Sequence, residues 1–369
     1  MEDQYIAYDI CNSRNQRARH EWTFEPVLLG DGSISVLIEA QGHLVAASCI
    51  ARIHTVANIE KEIMDPFGSG KVSNFSKSLR PSTPKEKSSW QEANEAWWES
   101  FPMRYDHREE AILAPEFSRE YFAEIDRRFL GSVAEAFPWK TIPFDQWIDF
   151  PNLSDKDVLE IGIGCGTHAQ LISTRAKSYV GIDLTNYAIK ATTARFSAAE
   201  LKGELLKMDA EKMTFRDGCF DFVWAWGVIH HSSDTAAVLR QIHRVLKPGG
   251  IASFMVYHHS LWNTYIRGWL YYGLIKRGIF KGFDANRLIQ LNTDGALARY
   301  FTLSELRSDL EPMFEITKVD FLGNKRQLLP LKAGRLKEFF ARFIPDGIGR
   351  WITNRPFFAY MVVVSIRKR

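Results

Sequence analysis

The sequence predicts an α/β protein in which a mostly parallel sheet carries helices on both faces. Residues 157–161 form an apolar, β-type run that continues into a glycine-rich turn, and residues 167–176 then have a helical character. A second short apolar run at 179–182 ends in Asp183. Apolar runs and helical segments go on alternating as far as residue 258, as units of strand, helix and parallel strand require.

The glycine-rich turn indicates a ligand site. Glycine occupies alternate positions, 162, 164 and 166, so the backbone can turn sharply and a ligand can lie directly against it. The helix that follows offers unpaired backbone N–H groups. Asp183, at the end of the next predicted strand, is placed to accept hydrogen bonds from both hydroxyls of a ribose. These features fit NAD and S-adenosylmethionine equally well.

The spacing of the glycines distinguishes the two ligands. A dinucleotide site favours G-x-G-x-x-G, whereas this chain reads E-x-G-x-G-x-G from Glu160 to Gly166. A carboxylate before the glycines would repel a pyrophosphate, but by charge complementarity it suits a ligand that carries an amino group and a sulfonium. The sequence therefore favours S-adenosylmethionine.

The stretch DVLEIGIGCGT, residues 157–167, resembles the class I S-adenosylmethionine-dependent methyltransferases. Four further stretches match this family in the right order: MDAEKMTF at 208–215, FDFVWAWGVIHH at 220–231, VLKPGG at 245–250 and IASFMVYH at 251–258. The resemblance covers roughly residues 150–260 and is closest to the small-molecule methyltransferases of the ubiquinone- and menaquinone-biosynthesis type.

The resemblance implies a Rossmann-like, doubly wound core with a mostly parallel seven-stranded sheet, and S-adenosyl-L-methionine as the cofactor. Asp209 would lie near the adenine amino group, and Ala210 would donate a backbone N–H. Helices before the core often lie across the cofactor in this family, so Arg104 and Tyr105 could reach the methionine carboxylate or the substrate. The predicted cofactor-binding residues are Tyr105, Glu160, Gly162, Gly164, Gly166, Asp183, Leu184, Asp209, Ala210 and Trp226.

Histidines at the crevice end of the predicted sheet are candidates for catalysis. Methyl transfer is an in-line displacement, so the protein mainly holds the acceptor close to the methyl group and collinear with it. An acceptor that must lose a proton also needs a general base, for which histidine has a suitable pKa. The predicted catalytic residues are His230, His231, Tyr257 and His258. The alternative is that one histidine of each neighbouring pair packs in the core or caps a helix.

No metal site is expected near these histidines, because no carboxylate or thiol lies at a recognisable ligand spacing from them. Cys165 lies inside the glycine turn, has no evident adjacent base, and is expected to pack rather than to react.

The chain divides into regions of different composition. A small β-rich region is predicted at the N-terminus, and a Ser-, Lys- and Pro-rich linker separates it from a helical cap that precedes the core. The core itself carries two helical insertions. The predicted bounds are 1–70 for the β-rich region, 71–89 for the linker, 90–148 for the cap, 149–369 for the core, and about 260–300 and 331–354 for the insertions.

The first insertion contains an aromatic-rich stretch, residues 260–283, of helical character. Arg267, Lys276 and Arg277 interrupt it, so it is too polar for a transmembrane span. It could be an amphipathic helix that touches a membrane, a lid over an apolar substrate pocket, or part of the core. The sequence favours the lid, since insertions at this point of the fold often shape the substrate site.

Composition sets outer limits on function. The 369 residues carry a net charge of only +3, which gives no general case for binding nucleic acid or an anionic membrane. The four cysteines are scattered, the start of the chain lacks the pattern of a secretion signal, and a cytoplasmic location is expected.

These observations predict an enzyme that moves a methyl group onto O, N or C of a small-molecule metabolite, which could be aromatic, isoprenoid, lipid-like or glycosylated. The alternatives are an NAD-dependent oxidoreductase and a non-catalytic, cofactor-binding scaffold protein. A nucleic-acid substrate is disfavoured, because the loop after the fourth core strand reads WGVIHH where amino-methylating enzymes often carry an (N/D)PPY-type sequence.

Overall fold

The computed structural model of the chain describes residues 23–28, 34–40, 43–45, 81, 83–105, 112–275, 277–278, 280, 285–291, 293–329 and 335–369. The chain divides into two compact units. In the first unit, β1 (Thr23–Leu28), β2 (Ile34–Ala40) and β3 (His43–Val45) form an antiparallel sheet in that order. The rest of the predicted β-rich region, 1–70, lies outside the described residues.

The second unit is built around an eight-stranded sheet. Its strands are β4 (Asp157–Ile161), β5 (Ser178–Asp183), β6 (Glu204–Lys207), β7 (Phe220–Trp226), β8 (Leu246–His258), β9 (Tyr300–Phe301), β10 (Phe314–Leu322) and β11 (Met361–Lys368). The order is β10-β11-β8-β7-β4-β5-β6, and β9 pairs with β8 outside this path. Strands β4 to β8 are parallel, whereas β11 is antiparallel to both β8 and β10.

The α/β class and the largely parallel sheet are thus confirmed, with one strand more than the seven predicted. The additional strand, β9, has only two residues, which pair with Tyr257 and His258. Two residues are too few to produce a recognisable alternation of apolar and polar side chains.

Nine α-helices and one π-helix are present in the described residues of the second unit. They are α1 (Pro84–Ser100), α2 (Arg119–Ala136), α3 (Thr167–Ser173), α4 (Asn186–Ala198), α5 (Thr235–Val245), the π-helix (Trp262–Ile275), α6 (Ala285–Leu291), α7 (Leu303–Leu310), α8 (Arg335–Ala341) and α9 (Asp346–Thr353). The side chains of Thr185, Asp234 and Thr302 each accept a hydrogen bond as the N-caps of α4, α5 and α7.

The first of these helices begins inside the predicted linker, 71–89. The Thr83 hydroxyl accepts from Glu86 N while the Glu86 carboxylate accepts from Thr83 N, a capping box that starts α1 at Pro84. The polar composition of this stretch suggested a linker, but its polar residues include the first turn of an amphipathic helix. The linker prediction was therefore too long at its C-terminal end.

Two apolar layers enclose the sheet. One contains Leu159 and Ile161 together with side chains of α5 and α7, and the other contains Val158 and Trp224 with side chains of α2 and α3. Neighbouring residues such as Val158 and Leu159 belong to different layers because successive side chains of a strand point to opposite faces. Both insertions are helical in their described parts, and no described helix is long and apolar enough to cross a membrane.

Candidate active site

A cavity of about 380 Å³ opens at the carboxyl ends of the central parallel strands. Strand β4 pairs with β5 on one side and with β7 on the other, so the order of the strands reverses at this point. Open α/β sheets bind ligands at such a switch point. The volume lies in the range of small-molecule and cofactor sites.

The glycine turn after β4 forms part of the cavity wall. Gly162 has a φ of +78° and Gly164 a φ of +51°, values that favour glycine. A Cβ on Gly162 would lie 2.1 Å from a methyl group of Val228, whereas a Cβ on Gly164 would meet no atom within 4 Å. The bare backbone at Gly164 therefore faces open space in the wall, as a cradle for a ligand requires.

Asp183 lies beside this turn at the end of β5. Gly164 N donates to its Oδ2 over 3.2 Å, and the backbone N–H and hydroxyl of Thr185 donate to Oδ1 over 3.0 and 2.9 Å. Burial raises the pKa of the carboxyl group, while these hydrogen bonds act in the opposite direction. The donors fix Asp183 at the edge of the cavity, where Leu184 also contributes to the wall.

Asp209 and Ala210 follow β6 on the same side of the cavity. Asp209 Oδ1 accepts from Glu211 N and from Gln91 Nε2, both over 2.9 Å. Gln91 belongs to α1, and its Oε1 accepts from Ser233 N over 3.2 Å. Helix α1 thereby closes one side of the crevice and links Asp209 to the loop after β7.

His231 lies in the short 3-10 turn after β7 and contributes to the cavity wall. Its Nδ1 is 2.6 Å from the carbonyl oxygen of Leu297. A carbonyl oxygen can only accept, so Nδ1 carries the proton and Nε2 keeps its lone pair. Burial lowers the pKa of His231 to about 4, so the ring is neutral at neutral pH and can accept a proton at Nε2.

Asn94 of α1 holds the two partners of this hydrogen bond. Its Nδ2 donates to the carbonyl oxygen of His231 over 2.5 Å, and its Oδ1 accepts from Leu297 N over 3.1 Å. Trp98, one helical turn further along α1, packs its ring edge against the His231 ring with the centroids 4.9 Å apart. Helix α1 therefore positions His231 through a hydrogen bond to its backbone and a contact with its ring.

Gln91, Asn94 and Trp98 line the cavity but were not among the predicted site residues. The sequence does contain a signal for them, because their spacing of three and four residues places them on one face of a helix. The sequence does not show, however, which face of α1 covers the cavity.

Tyr257, near the end of β8, also lines the cavity. Burial raises the pKa of its phenol well above the usual value, so the hydroxyl stays protonated. Its ring lies 3.9 Å from the His230 ring and stacks on Tyr300 at 5.1 Å. Tyr257 can act as a hydrogen-bond donor in the cavity.

The other two histidines do not reach the cavity. His230 is fully buried behind Tyr257, and burial lowers its pKa well below the usual value. His258 follows Tyr257 in the strand and must point to the opposite face, where its Nδ1 is 3.2 Å from the Phe301 carbonyl oxygen. A packing role in the core, the alternative to catalysis, therefore describes His230 and His258 better than a catalytic role.

Glu160 also lies outside the cavity wall, in the layer occupied by Tyr179 and His168. The Tyr179 hydroxyl donates to Glu160 Oε2 over 2.7 Å, and burial raises the pKa of Glu160 to about 8. Burial lowers the pKa of His168 to about 3, so its contact with Glu160 at 3.7 Å joins two neutral groups at neutral pH. Without a cation nearby the Glu160 carboxyl group therefore keeps its proton at neutral pH, whereas the predicted attraction to a sulfonium requires the carboxylate.

Of the remaining predicted residues, some line the cavity and one lies outside it. Tyr105 lines the cavity and stacks on Phe129 at 4.8 Å, and Trp226 lines it from the end of β7. Gly166 lies just behind the wall as the N-cap of α3, where a Cβ would meet the Thr192 side chain at 3.0 Å. The predicted residues that the cavity brings together are Tyr105, Gly162, Gly164, Asp183, Leu184, Asp209, Ala210, Trp226, His231 and Tyr257.

Thiol chemistry finds no support at the cavity. Burial raises the pKa of the Cys165 thiol to about 12, which keeps it protonated. No group of three or more potential metal ligands occurs among the residues that the structure describes.

Residues 159–254, which carry the glycine turn, Asp183, Asp209 and His231, match the family described as "Methyltransferase domain". This stretch of the chain is therefore similar to a methyltransferase domain. The loops after β4, β5, β6 and β7 all face the cavity at the carboxyl ends of these parallel strands.

Curated relatives of the methyltransferase domain act on different acceptors. A sterol 24-C-methyltransferase of Aspergillus fumigatus is 30% identical over 138 residues, which are 37% of this chain and 36% of the relative. A ubiquinone biosynthesis O-methyltransferase of Pseudomonas aeruginosa is 32% identical over 106 residues, which are 28% of this chain and 46% of the relative. The chain thus spans less than half of the length of each of these relatives.

A solved S-adenosylmethionine-dependent methyltransferase from Mesorhizobium loti superposes with a TM-score of 0.42 at 18% identity, over 59% of this chain and 93% of that chain. This similarity is too low to add to the family match.

Proposed function

We propose that this protein is an S-adenosyl-L-methionine-dependent methyltransferase that acts on a small molecule. One observation carries the proposal: the open glycine backbone, Asp183 and Asp209 stand at the ends of three neighbouring parallel strands around one cavity. The family match of residues 159–254 supports the same conclusion.

The residues present suit this cofactor. The bare backbone at Gly164 leaves room for its methionine part, Asp183 can accept from the two ribose hydroxyls, and Asp209 with Ala210 can hold the adenine. When bound, the cofactor supplies an electrophilic methyl group on sulfur. Asp183 and Asp209 already have backbone donors of their own, so neither needs to reorganise to receive a ligand.

His231 is the residue that we propose as general base. Its Nε2 lone pair can take a proton from an acceptor hydroxyl, while the Leu297 carbonyl holds Nδ1–H and so stabilises the imidazolium that forms. The Tyr257 phenol, protonated at neutral pH, can orient the acceptor by donating a hydrogen bond. Positioning of the acceptor accounts for the remainder of the catalysis.

The cavity wall and the names of the relatives support an apolar acceptor. Trp98, Phe129, Trp226 and Met255 contribute large apolar side chains to the wall, which suits an aromatic or isoprenoid molecule. The names of the relatives, a sterol C-methyltransferase and a ubiquinone-biosynthesis O-methyltransferase, point in the same direction.

Together with the free thiols of Cys165 and Cys219, the scattered cysteines of the sequence support a location in the reducing cytoplasm.

Titration calorimetry with S-adenosylhomocysteine and, separately, with NAD tests the cofactor. We expect binding of the former only, and a decrease of about tenfold to a hundredfold in affinity for Asp183→Ala, which removes two hydrogen bonds to a charged acceptor. Asp155→Ala, at an exposed aspartate that pairs with Lys156, is the matched control and should bind normally. Binding of NAD, or of neither ligand, would contradict the proposal.

The base is tested by His231→Asn once an acceptor has been found by transfer of a labelled methyl group to a panel of quinols, phenols and sterols. Asparagine keeps a donor near the position of Nδ1 but removes the basic nitrogen, so turnover should fall by about 10²- to 10⁴-fold. The affinity for S-adenosylhomocysteine should not change. His243→Asn, at a histidine that packs on Phe314, is the control. Equal losses in turnover and cofactor affinity would assign His231 a structural role instead.

A further inference from the structure

The π-helix Trp262–Ile275 has its small and polar residues inside and its large apolar residues outside. The fully buried positions are occupied by Asn263, Thr264, Gly268 and Gly273. The exposed side chains along the same stretch are Leu261, Tyr265, Trp269, Leu270, Leu274 and Ile275, which retain between 39% and 63% of their accessible surface. Surface helices normally show the reverse arrangement.

Close packing fixes this orientation. A Cβ on Gly268 would lie 2.8 Å from both the Ala285 carbonyl oxygen and a side-chain carbon of Ile289, so only glycine lets the helix approach α6 this closely. At the start of the helix, Asn263 donates to the His258 carbonyl oxygen over 3.3 Å and its N–H donates to the Ser260 hydroxyl. The apolar residues face outward because the other face is already bound to the protein.

The exposed apolar surface continues onto the turn that follows α9. Trp262 N donates to the Phe357 carbonyl oxygen over 3.1 Å, and the Trp262 and Phe358 rings lie 5.6 Å apart. Phe357 is 49% exposed and Trp351 is 67% exposed. Together, residues 261–275 and 351–357, the latter made up of the end of α9 and the turn after it, are named the aromatic face.

The charged residues within the two segments of the aromatic face are basic. Residues 261–275 contain Arg267, the exposed Arg277 follows them, and residues 351–357 contain Arg355; neither segment has an acidic residue. In the turn, the Arg355 guanidinium lies over the Trp351 ring at 5.6 Å. A second copy of the chain would bring these like charges together in a symmetric contact, which opposes self-association. A surface of aromatic side chains edged with cations instead matches the interface of a bilayer that contains anionic lipids.

We propose that the aromatic face docks this protein onto the surface of an anionic lipid membrane. Trp269, Leu270 and their neighbours enter the boundary between headgroups and acyl chains, and the basic residues remain among the anionic headgroups. The helix lies along the membrane plane and does not cross the bilayer. This inference is independent of the proposed methyl transfer.

Flotation of the full chain with lipid vesicles tests the proposal. We expect the chain to float with vesicles of phosphatidylcholine mixed with phosphatidylglycerol, to float less with phosphatidylcholine alone, and to be released by salt. The double variant Trp269→Glu, Leu270→Glu should lose at least about tenfold in partitioning, since two large apolar side chains can no longer be buried. Leu113→Glu changes a leucine that is 95% exposed elsewhere on the protein, and should float like the unchanged chain.

A second measurement guards against a folding defect in the double variant. Vesicles with brominated acyl chains should quench part of the tryptophan fluorescence of the bound chain, and Trp269→Phe should bind normally while losing part of that quenching. Equal flotation of the double variant and the unchanged chain would overturn the proposal. So would an absence of binding to the mixed vesicles, or light scattering that shows a dimer dissociated by the same two substitutions.

Discussion

The proposed base, His231, depends on neighbours that fix the position of its proton. The Leu297 carbonyl accepts from Nδ1, and Asn94 bonds to the backbones of both residues. The backbone at position 295 also lies against the His231 ring. Only glycine fits there, because a Cβ would lie 2.6 Å from His231 Nδ1. A histidine at this point of the family pattern could be predicted from the sequence. The residues that select its tautomer lie far away in the chain, in α1 and in the first insertion, and could not.

At the residue scale, Asn94→Leu tests the positioning role. Leucine has a similar volume but neither donates nor accepts, so the Leu297 carbonyl loses its anchor and the preference for a proton on Nδ1 should weaken. Nitrogen chemical shifts of the His231 ring report the tautomer directly and require no methyl acceptor. We expect one dominant form, protonated at Nδ1, in the unchanged chain and a mixture in the variant.

Asn152→Leu, at an exposed asparagine that bonds to Asp149, provides the control for general effects of the substitution. An unchanged tautomer in Asn94→Leu would leave Asn94 with a purely structural role.

At the scale of elements, the site depends on the fit between the glycine turn and the loop after β7. Both leave the sheet at the switch point, and Val228 of that loop packs on the bare backbone of Gly162. The glycine pattern predicted the turn, because alternate glycines are needed there whatever surrounds them. The contact between the two loops depends on the pairing of β4 with β7, which are separated by some sixty residues in the chain.

Gly162→Ala tests this fit against Gly249→Ala. The two glycines have similar φ values, +78° and +73°, so alanine should cost about 1–2 kcal/mol of backbone strain at either. At Gly249 a Cβ meets no atom within 4 Å, whereas at Gly162 it meets Val228 at 2.1 Å. We therefore expect Gly162→Ala to lower the free energy of unfolding by about 1–3 kcal/mol more than the control, as measured by urea denaturation. Equal losses would mean that the Val228 loop moves aside without cost.

On the scale of the whole molecule, buried ionisable groups make stability depend on pH in two opposite directions. The pKa of His168 is lowered to about 3, and that of Glu160 is raised to about 8. Below its usual pKa of 6.5 the histidine binds more protons in the unfolded chain than in the folded one, so its contribution to stability increases with pH. Above pH 6.5 this contribution no longer changes. At Glu160 the folded chain binds more protons than the unfolded one. The contribution of Glu160 to stability is therefore fully present at acid pH and is lost as the pH rises through about 8.

Glu160→Gln separates these two terms. Between about pH 6.5 and 8 the histidine term is constant, and Glu160 should lower the free energy of unfolding by up to about 1.4 kcal/mol per pH unit. Glutamine can still accept from Tyr179 but does not titrate, so the variant should show a flatter profile in this window when urea denaturation is repeated across pH. Glu204→Gln, at an exposed position of β6, should follow the unchanged chain. A parallel decline in Glu160→Gln would show that other groups control the slope.

The sequence by itself determined the class of fold, the glycine turn, and the acidic residues at the ends of β5 and β6. These features follow from local patterns, since a strand or a turn is specified by residues close together in the chain. The carboxyl ends of parallel strands meet at one edge, so their polar residues could be placed around one crevice without coordinates.

Only the tertiary structure decided which of these residues share the cavity and in which protonation state. It placed His231 and Tyr257 inside, His230 and His258 outside, and Glu160 in a layer where it stays neutral. It also brought α1 over the site and turned the apolar side of the π-helix outward. The reason is physical: burial and the direction of a side chain are set by elements that pack from distant parts of the chain, and burial in turn sets the pKa.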